Sequence, residues 1–395
     1  MAVLRYYFVG KTLPSWDLKM QVFCELARYY GKILFPESSD DNIYNIDFEI
    51  IQKKFQNTPI PPTVLSKKVG IYSLCHIPVS DIVLDSDAFQ GLGIAEEQFR
   101  NLIHADKDAL ANGIPRLLPY EIIASWEACK KWGILQDTSD MALKPQPLSD
   151  NEFVALCLHG GSYAMGNPAS HRELLGRFSK ETKLRCFVVD YRLAPLYPFP
   201  AQLHDALISF YYLISLGFPP EKIIVVGDSA GGHLSISLVL LLKHLARDTP
   251  QLPGGLVLLS PMPATDLHGE SLIKNANYDY VCPTPLEWPT SPIRLFYKPG
   301  TKCTSEYKKE IKHPLLTFAN GNLSGFPPTI VQSGSREILI DDIRILCNKL
   351  KEHNNPKTII YKEYPDMVHV FHRFFHRPES DNAFKALSDF VNMLH

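Results

Sequence analysis

The sequence offers little that would point to a nucleic acid, a metal or a membrane span. Charge is nearly balanced, with 40 Lys and Arg against 42 Asp and Glu. No stretch gathers basic residues, so there is no electrostatic footprint for a nucleic-acid partner. The eight cysteines stand singly. None forms a C-x-x-C pair or sits with histidines at metal-ligand spacing, which leaves reduced, structural thiols and no metal as the expectation. The longest apolar run, Leu234 to Leu242, contains two serines and falls well short of the roughly 20 residues that cross a bilayer as a helix. The N-terminus lacks a basic start, a continuous apolar core and a small-residue cleavage site, so a soluble cytoplasmic protein is expected. One sequon, Asn322-Leu323-Ser324, has no other sign of secretion beside it.

What is present is a globular composition. At 395 residues, 45% hydrophobic and 21% charged, the chain fits one large α/β domain with an added cap or second small domain. Near the start, Trp16, Met20, Phe23, Ala27 and Tyr30 fall at three- and four-residue steps behind Ser15, a candidate cap. They predict an amphipathic helix ending near Gly31, packed on the core or serving as a lid or a membrane-surface anchor. Residues 36 to 65 are polar and proline-punctuated and read as a connection. Val69 to Ile77 and Ile82 to Leu84 read as edge strands, and Glu96 to Ala111 and Tyr120 to Trp132 as helices.

From Glu152 onward the pattern sharpens. Strands are expected at Phe153 to Leu158, Cys186 to Asp190, Ile223 to Val226, Leu256 to Leu259, Thr329 to Gln332 and Thr358 to Tyr364. Helices are expected at Arg172 to Thr182, Gln202 to Leu216, Leu234 to Ala246, Asp341 to His353 and Asn382 to Leu394. Continuous rather than alternating hydrophobicity in the strands predicts a mostly parallel, doubly wound sheet buried on both faces. The rhythm breaks between Ser260 and Thr329, a segment rich in proline and aromatics that is expected to rise above the sheet.

The chemistry centres on Gly227-Asp228-Ser229-Ala230-Gly231, a G-x-S-x-G stretch running from an apolar strand into an apolar helix. A tight strand-to-helix turn lifts the Ser229 hydroxyl clear of the sheet and aims the helix N-terminus at charge forming beside it. Such a nucleophile needs a base, and His369 follows the last strand. It also needs a group to orient that base, and Glu337 follows the strand before it, with Asp341 and Asp342 close behind as first-turn residues of a helix. The loop His159-Gly160-Gly161-Ser162-Tyr163 follows an earlier strand, where glycines let N–H groups face an oxyanion. Gly160, Gly161 and Ser162 are the candidate donors there, completed by the Ala230 N–H. Tyr163, Trp288 and Phe371 are the candidate substrate-facing side chains.

Three blocks then carry a family resemblance: His159-Gly160-Gly161 with its trailing Gly166, Asp190-Tyr191-Arg192-Leu193-Ala194-Pro195 continuing to Asp205, and Gly227-Asp228-Ser229-Ala230-Gly231-Gly232. From Phe153 to the C-terminus the chain resembles the hormone-sensitive-lipase-like esterases of the α/β-hydrolase superfamily. The resemblance implies an α/β-hydrolase fold over 66–262 and 326–395, with a helical cap from an N-terminal segment at 1–65 and an insertion at 263–325. It implies Ser229 as nucleophile, His369 as base, and a Tyr-Arg-Leu-Ala-Pro block that braces the site without entering the chemistry. Two departures stand out: Ser162 where many members have glycine, and Glu337 where Asp is usual. The implied activity is a serine carboxylester hydrolase, without cofactor, acting on small-to-medium hydrophobic acyl esters. Deacetylation of a sterol or other lipid and arylformamide hydrolysis are the alternatives. So is ligand binding on a dead scaffold, as in the plant gibberellin receptors that look like this family but have lost the histidine. The expected partner is a small hydrophobic ester, with the N-terminal helix as the candidate for peripheral contact with a membrane or lipid droplet.

Overall fold

Continuous apolar runs become strands covered on both faces. The computed structural model describes Tyr6 and residues 11–36, 70–82, 84–134, 143–246 and 251–395. The connection expected over 36 to 65 lies outside the described residues except for Pro36. The strands are β1 (Gly70–Pro78), β2 (Leu117–Ser125), β3 (Val154–Leu158), β4 (Arg185–Val189), β5 (Ile223–Asp228), β6 (Gly255–Leu259), β7 (Thr329–Gly334) and β8 (Ile359–Tyr364). They form one sheet in the order β1-β2-β4-β3-β5-β6-β7-β8. β1 and β2 are antiparallel to their neighbours and every later pairing is parallel.

The helices are α1 (Leu18–Leu34), α2 (Glu96–Ala111), α3 (Trp126–Lys131), α4 (Pro168–Thr182), α5 (Ala201–Ser215), α6 (Ala230–Leu245), α7 (Ser271–Lys274), α8 (Pro292–Tyr297), α9 (Ser305–Glu310), α10 (Ile340–His353) and α11 (Pro378–Leu394). Alternate strand residues feed two cores, because successive side chains point to opposite faces. Leu156, Val225 and Leu258 pack with Leu203 and Leu207 of α5, Leu234 and Leu238 of α6 and Ile343 of α10. Cys157, Val226 and Val257 pack with Leu174 and Phe178 of α4 and Leu387 and Phe390 of α11. Parallel registry brings the carboxyl ends of β3, β5, β7 and β8 to one edge, where Leu158 pairs with Gly227 and Gly334 with Tyr364. That edge is where an open α/β sheet places its ligand sites.

Three local expectations change. Tyr120 to Trp132 is not one helix: the apolar run through Ile122, Ile123 and Ala124 is β2, and the Ser125 hydroxyl accepts the Ala128 N–H to start α3. The six consecutive buried residues Tyr120 to Ser125 are satisfied as a strand beside β4, which a surface helix could not offer. Ile82 and Leu84 follow a 3₁₀ turn at Val79–Asp81 and belong to no strand. The cap of α1 is Asp17, whose carboxylate accepts the Met20 N–H, while the Ser15 hydroxyl donates to Asp366 Oδ2 at 2.9 Å. The helix also runs past Gly31 to Leu34.

α1 spans the carboxyl edge of the sheet. At one end Trp16, Met20 and Cys24 pack on Met367, Val368, Phe371 and Phe374, and the Trp16 indole donates to the Asp366 carbonyl at 2.8 Å. At the other, Leu34 and Phe35 pack with Ala164, Met165 and Leu295. Midway the Arg28 guanidinium donates to the carbonyls of Asn277, Tyr278 and Asp279. The segment between β6 and β7 carries α7, α8 and α9.

Candidate active site

The turn after β5 is held by close backbone contacts. Ser229 has φ 52° and ψ −118°, a costly conformation for a residue with a Cβ that persists only where the surroundings impose it. Its N–H donates to the Leu259 carbonyl at 3.0 Å and its carbonyl accepts the Met262 N–H at 2.9 Å. A Cβ on Gly227 would lie 2.2 Å from the Gly231 carbonyl oxygen, and one on Gly231 would lie 1.9 Å from that of Leu158. Both glycines of the pentapeptide are therefore required by strand-to-helix packing.

The Ser229 hydroxyl, half-buried rather than sealed, lies 2.8 Å from His369 Nε2. His369 Nδ1 lies 3.1 Å from Glu337 Oε2, so the carboxylate holds the proton on Nδ1 and leaves Nε2 free to accept from the serine. Glu337 Oε1 accepts the Gly334 N–H and, at 2.7 Å, the Ser260 hydroxyl. Ser260 Oγ in turn accepts the Val370 N–H at 2.9 Å. Burial disfavours the imidazolium, but Glu337 outweighs it, with Asp279 and Asp228 adding to its effect, so the His369 pKa lies above its ordinary value. Asp341 is elsewhere: it pairs with Arg344 at 3.0 Å and accepts the Ser271 N–H at 2.8 Å.

The loop after β3 faces the serine. Gly161 has φ +124°, and a Cβ there would lie 2.1 Å from the Met165 carbonyl oxygen. The N–H groups of Gly161, Ser162 and Ala230 donate to no atom among the described residues, which leaves them available to a ligand. The Gly160 N–H is a correction to the expected set, since it donates to Asp228 Oδ1 at 3.0 Å and is already used. Asp228 is buried, which alone would raise its pKa. His171, Arg373 and the Gly160 N–H hold it well below the usual carboxylate range instead.

A family model described as alpha/beta hydrolase fold matches residues 155–373, which contain the loop after β3, the turn at Ser229, Glu337 and His369. The chain belongs to the α/β-hydrolase family. It is 32% identical over 251 residues to an acetyl-hydrolase of Streptomyces hygroscopicus, a match spanning 62% of this chain and 77% of the relative. It is also 32% identical over 246 residues to an esterase of Acinetobacter venetianus, spanning 60% and 74%. In fold it is similar to an esterase from the bacterial hormone-sensitive lipase family, with TM-score 0.63 at 23% identity over 96% of this chain and 99% of that one. With these relatives it is a carboxylic ester hydrolase.

In this hydrolase the Tyr-Arg-Leu-Ala-Pro block braces the loop after β3. The Tyr191 ring stacks on His159 at 4.1 Å, and its hydroxyl donates to the His159 carbonyl at 2.5 Å. Arg192 and Arg116 both bond the fully buried Asp205 carboxylate. His159 is pushed down to about 3 by burial and so is neutral, a loop-ordering ring rather than a proton carrier. His372 donates to Gln332 in the core, and His376 meets Asp17 near the surface.

Two of the three side chains expected to face substrate are placed in the core. The Tyr163 ring is buried against Phe296 at 3.8 Å. His233 Nε2 donates to the Leu316 carbonyl at 3.0 Å, so its Nδ1 accepts the Tyr163 hydroxyl at 2.7 Å. Phe371 is fully buried among Trp16, Met20 and Phe374. Both rings pack on other aromatic rings, Tyr163 on Phe296 and Phe371 on Tyr364. Trp288 remains half-buried in the segment between β6 and β7. Sequence reasoning missed Ser260, whose position directly after β6 was the available signal, and Asp279, which had none.

Proposed function

We propose that the protein hydrolyses esters of small-to-medium hydrophobic acyl groups through an acyl-enzyme on Ser229. The observation that carries this reading is the hydrogen-bonded chain from Ser229 through His369 to Glu337. His369 Nε2 takes the Ser229 proton as Oγ attacks the acyl carbonyl. The N–H groups of Gly161, Ser162 and Ala230 receive the resulting oxyanion, and Glu337 stabilises the imidazolium. His369 then protonates the departing alcohol. Water, deprotonated by the same nitrogen, attacks the acyl-enzyme, releasing the acid and restoring Ser229. The cap in this reading is α1 together with the insertion at 263–325.

The names of two relatives favour the short end of the acyl range: the acetyl-hydrolase above, and a versiconal hemiacetal acetate esterase of Dothistroma septosporum, 29% identical over 235 residues. Ser162 adds a side chain in the left-handed region, φ 54°, on a loop where glycine would leave more room. A p-nitrophenyl ester series tests this. kcat/KM is expected to peak between acetyl and hexanoyl and to fall for dodecanoyl, and a maximum at dodecanoyl or turnover of aryl formamides alone would refute the assignment.

The outer face of α1 supports peripheral contact with a lipid surface. Leu26, Tyr29, Tyr30 and Ile33 are each about half exposed, and Lys19 and Lys32 are on the same helix. No helix among the described residues is long and apolar enough to cross a membrane, so the contact would lie in the interface plane. Sedimentation with vesicles of phosphatidylcholine and phosphatidylserine is expected for the protein. It should be lost in Leu26→Glu/Ile33→Glu without loss of p-nitrophenyl acetate turnover, and equal sedimentation of both would refute the contact.

A further inference from the structure

Asp279 lies between β6 and β7, its carboxylate fully buried, and among the described residues no lysine or arginine pairs with it. Its acceptors are filled by backbone. Oδ1 takes the Tyr280 N–H at 2.8 Å and the His369 N–H at 3.2 Å, and Oδ2 takes the Ile338 N–H at 2.9 Å. Ile338 directly follows Glu337, so one carboxylate ties the turn that carries the acid to the loop that carries the histidine. Asn275, four residues earlier, adds to the same join by donating to the Glu337 carbonyl at 2.8 Å. From outside, Arg28 fixes the carbonyls of residues 277–279. A buried carboxylate without a cationic partner is disfavoured unless hydrogen bonds and local charge compensate it. Here the compensation is three N–H donors and the imidazole beside it.

Resting on the hydrolytic reading above, we infer that Asp279 is a positioning residue. Its carboxylate holds the acid turn and the histidine loop in register, and supplies a second negative charge that stabilises the His369 imidazolium formed when Ser229 gives up its proton. Burial pushes the Asp279 carboxyl up to about 6; the Glu337 charge raises it too and His369 opposes them. The other groups facing this pair do not titrate in the working range. The Cys24, Cys282 and Tyr280 protons are held on by burial, and His372 is pushed down to about 3. Asp228 stays ionised, with Arg373 at 3.7 Å. Arg28 stands beside the Asp279 carbonyl.

Asp279→Asn and Asp279→Glu, compared with the unaltered protein on p-nitrophenyl acetate across pH, test the inference. Asn offers one acceptor and sets an N–H₂ against a backbone N–H, so kcat should fall about ten- to a hundredfold while KM moves about twofold or less. His369 must be neutral to accept the serine proton. Removing a nearby negative charge lowers its pKa, so the acid limb of kcat/KM should move to lower pH. Asp279→Glu keeps the charge and should keep the acid limb. An unchanged kcat in Asp279→Asn, or a fallen kcat with an unmoved acid limb, overturns the positioning role. Where Asp279→Asn does not fold by circular dichroism, Arg28→Met loosens the same segment from outside. A several-fold lower kcat with the acid limb displaced supports the role, and unaltered kinetics overturn it. Failure of the unaltered protein to react with a fluorophosphonate at Ser229 would instead overturn the hydrolytic reading beneath it.

Discussion

Ester hydrolysis is expected to fall by on the order of 10⁵-fold in Ser229→Ala, ~7 kcal/mol of lost transition-state stabilisation. The remaining rate would come from the oxyanion donors and from binding, since Gly161, Ser162 and Ala230 keep their places. The fold should survive the change. The Ser229 side chain makes no capping bond to α6, and alanine bears the same strain at φ 52° that serine already bears. Turnover of p-nitrophenyl acetate, with far-ultraviolet circular dichroism as the check on folding, measures this. Turnover within tenfold of the unaltered protein would remove Ser229 from the mechanism.

Glu337→Gln should lower kcat by roughly 10³- to 10⁴-fold, and Asp341→Asn by about twofold or less. The asymmetry follows from donors and acceptors. Glu337 Oε1 accepts from both Gly334 N–H and Ser260 O–H, so a glutamine amide nitrogen placed there meets two donors. Turned the other way, that nitrogen donates to His369 Nδ1 and puts the ring proton on Nε2, the tautomer that cannot accept from Ser229. Asp341 is partly exposed and bonded to Arg344 and the Ser271 N–H, where asparagine still accepts. The opposite ranking in steady-state kinetics would transfer the orienting role to Asp341.

How far the site was legible depended on whether its residues lie inside a strand-end pattern. Ser229 and the loop from His159 to Ser162 were readable because each directly follows an apolar run and carries glycines that the backbone contacts require. His369 was readable because it follows the last strand. Between Glu337 and Asp341 the residues left two carboxylates a turn apart. The Gly334–Tyr364 pairing and the turn after it bring Glu337, and not Asp341, to hydrogen-bonding distance of the imidazole. Ser260 and Asp279 act through long-range contacts, 77 and 90 residues distant in sequence from Glu337 and His369 respectively, and no local pattern encodes those. Gly160 was misread because a glycine in such a loop offers an N–H without revealing that Asp228, directly before Ser229, takes it. Tyr163 and Phe371 were misread because an aromatic near a motif has the same spelling whether it lines a pocket or fills a gap beneath one.

In the fold, strands β3 to β7 were legible to within a few residues because burial on both faces leaves a largely apolar run. Tyr120 to Trp132 was not, because an apolar run ending in a short helix matches a helical period as well as it matches β2 followed by α3.

The account rests on Ser229 as the nucleophile, and the most direct measurement is the intact mass and peptide map of the protein after reaction with a fluorophosphonate. The expected result is one adduct per chain, on Ser229, forming in step with loss of ester hydrolysis and absent from His369→Ala. Full hydrolysis with no adduct, or an adduct on another residue that abolishes turnover, would contradict it.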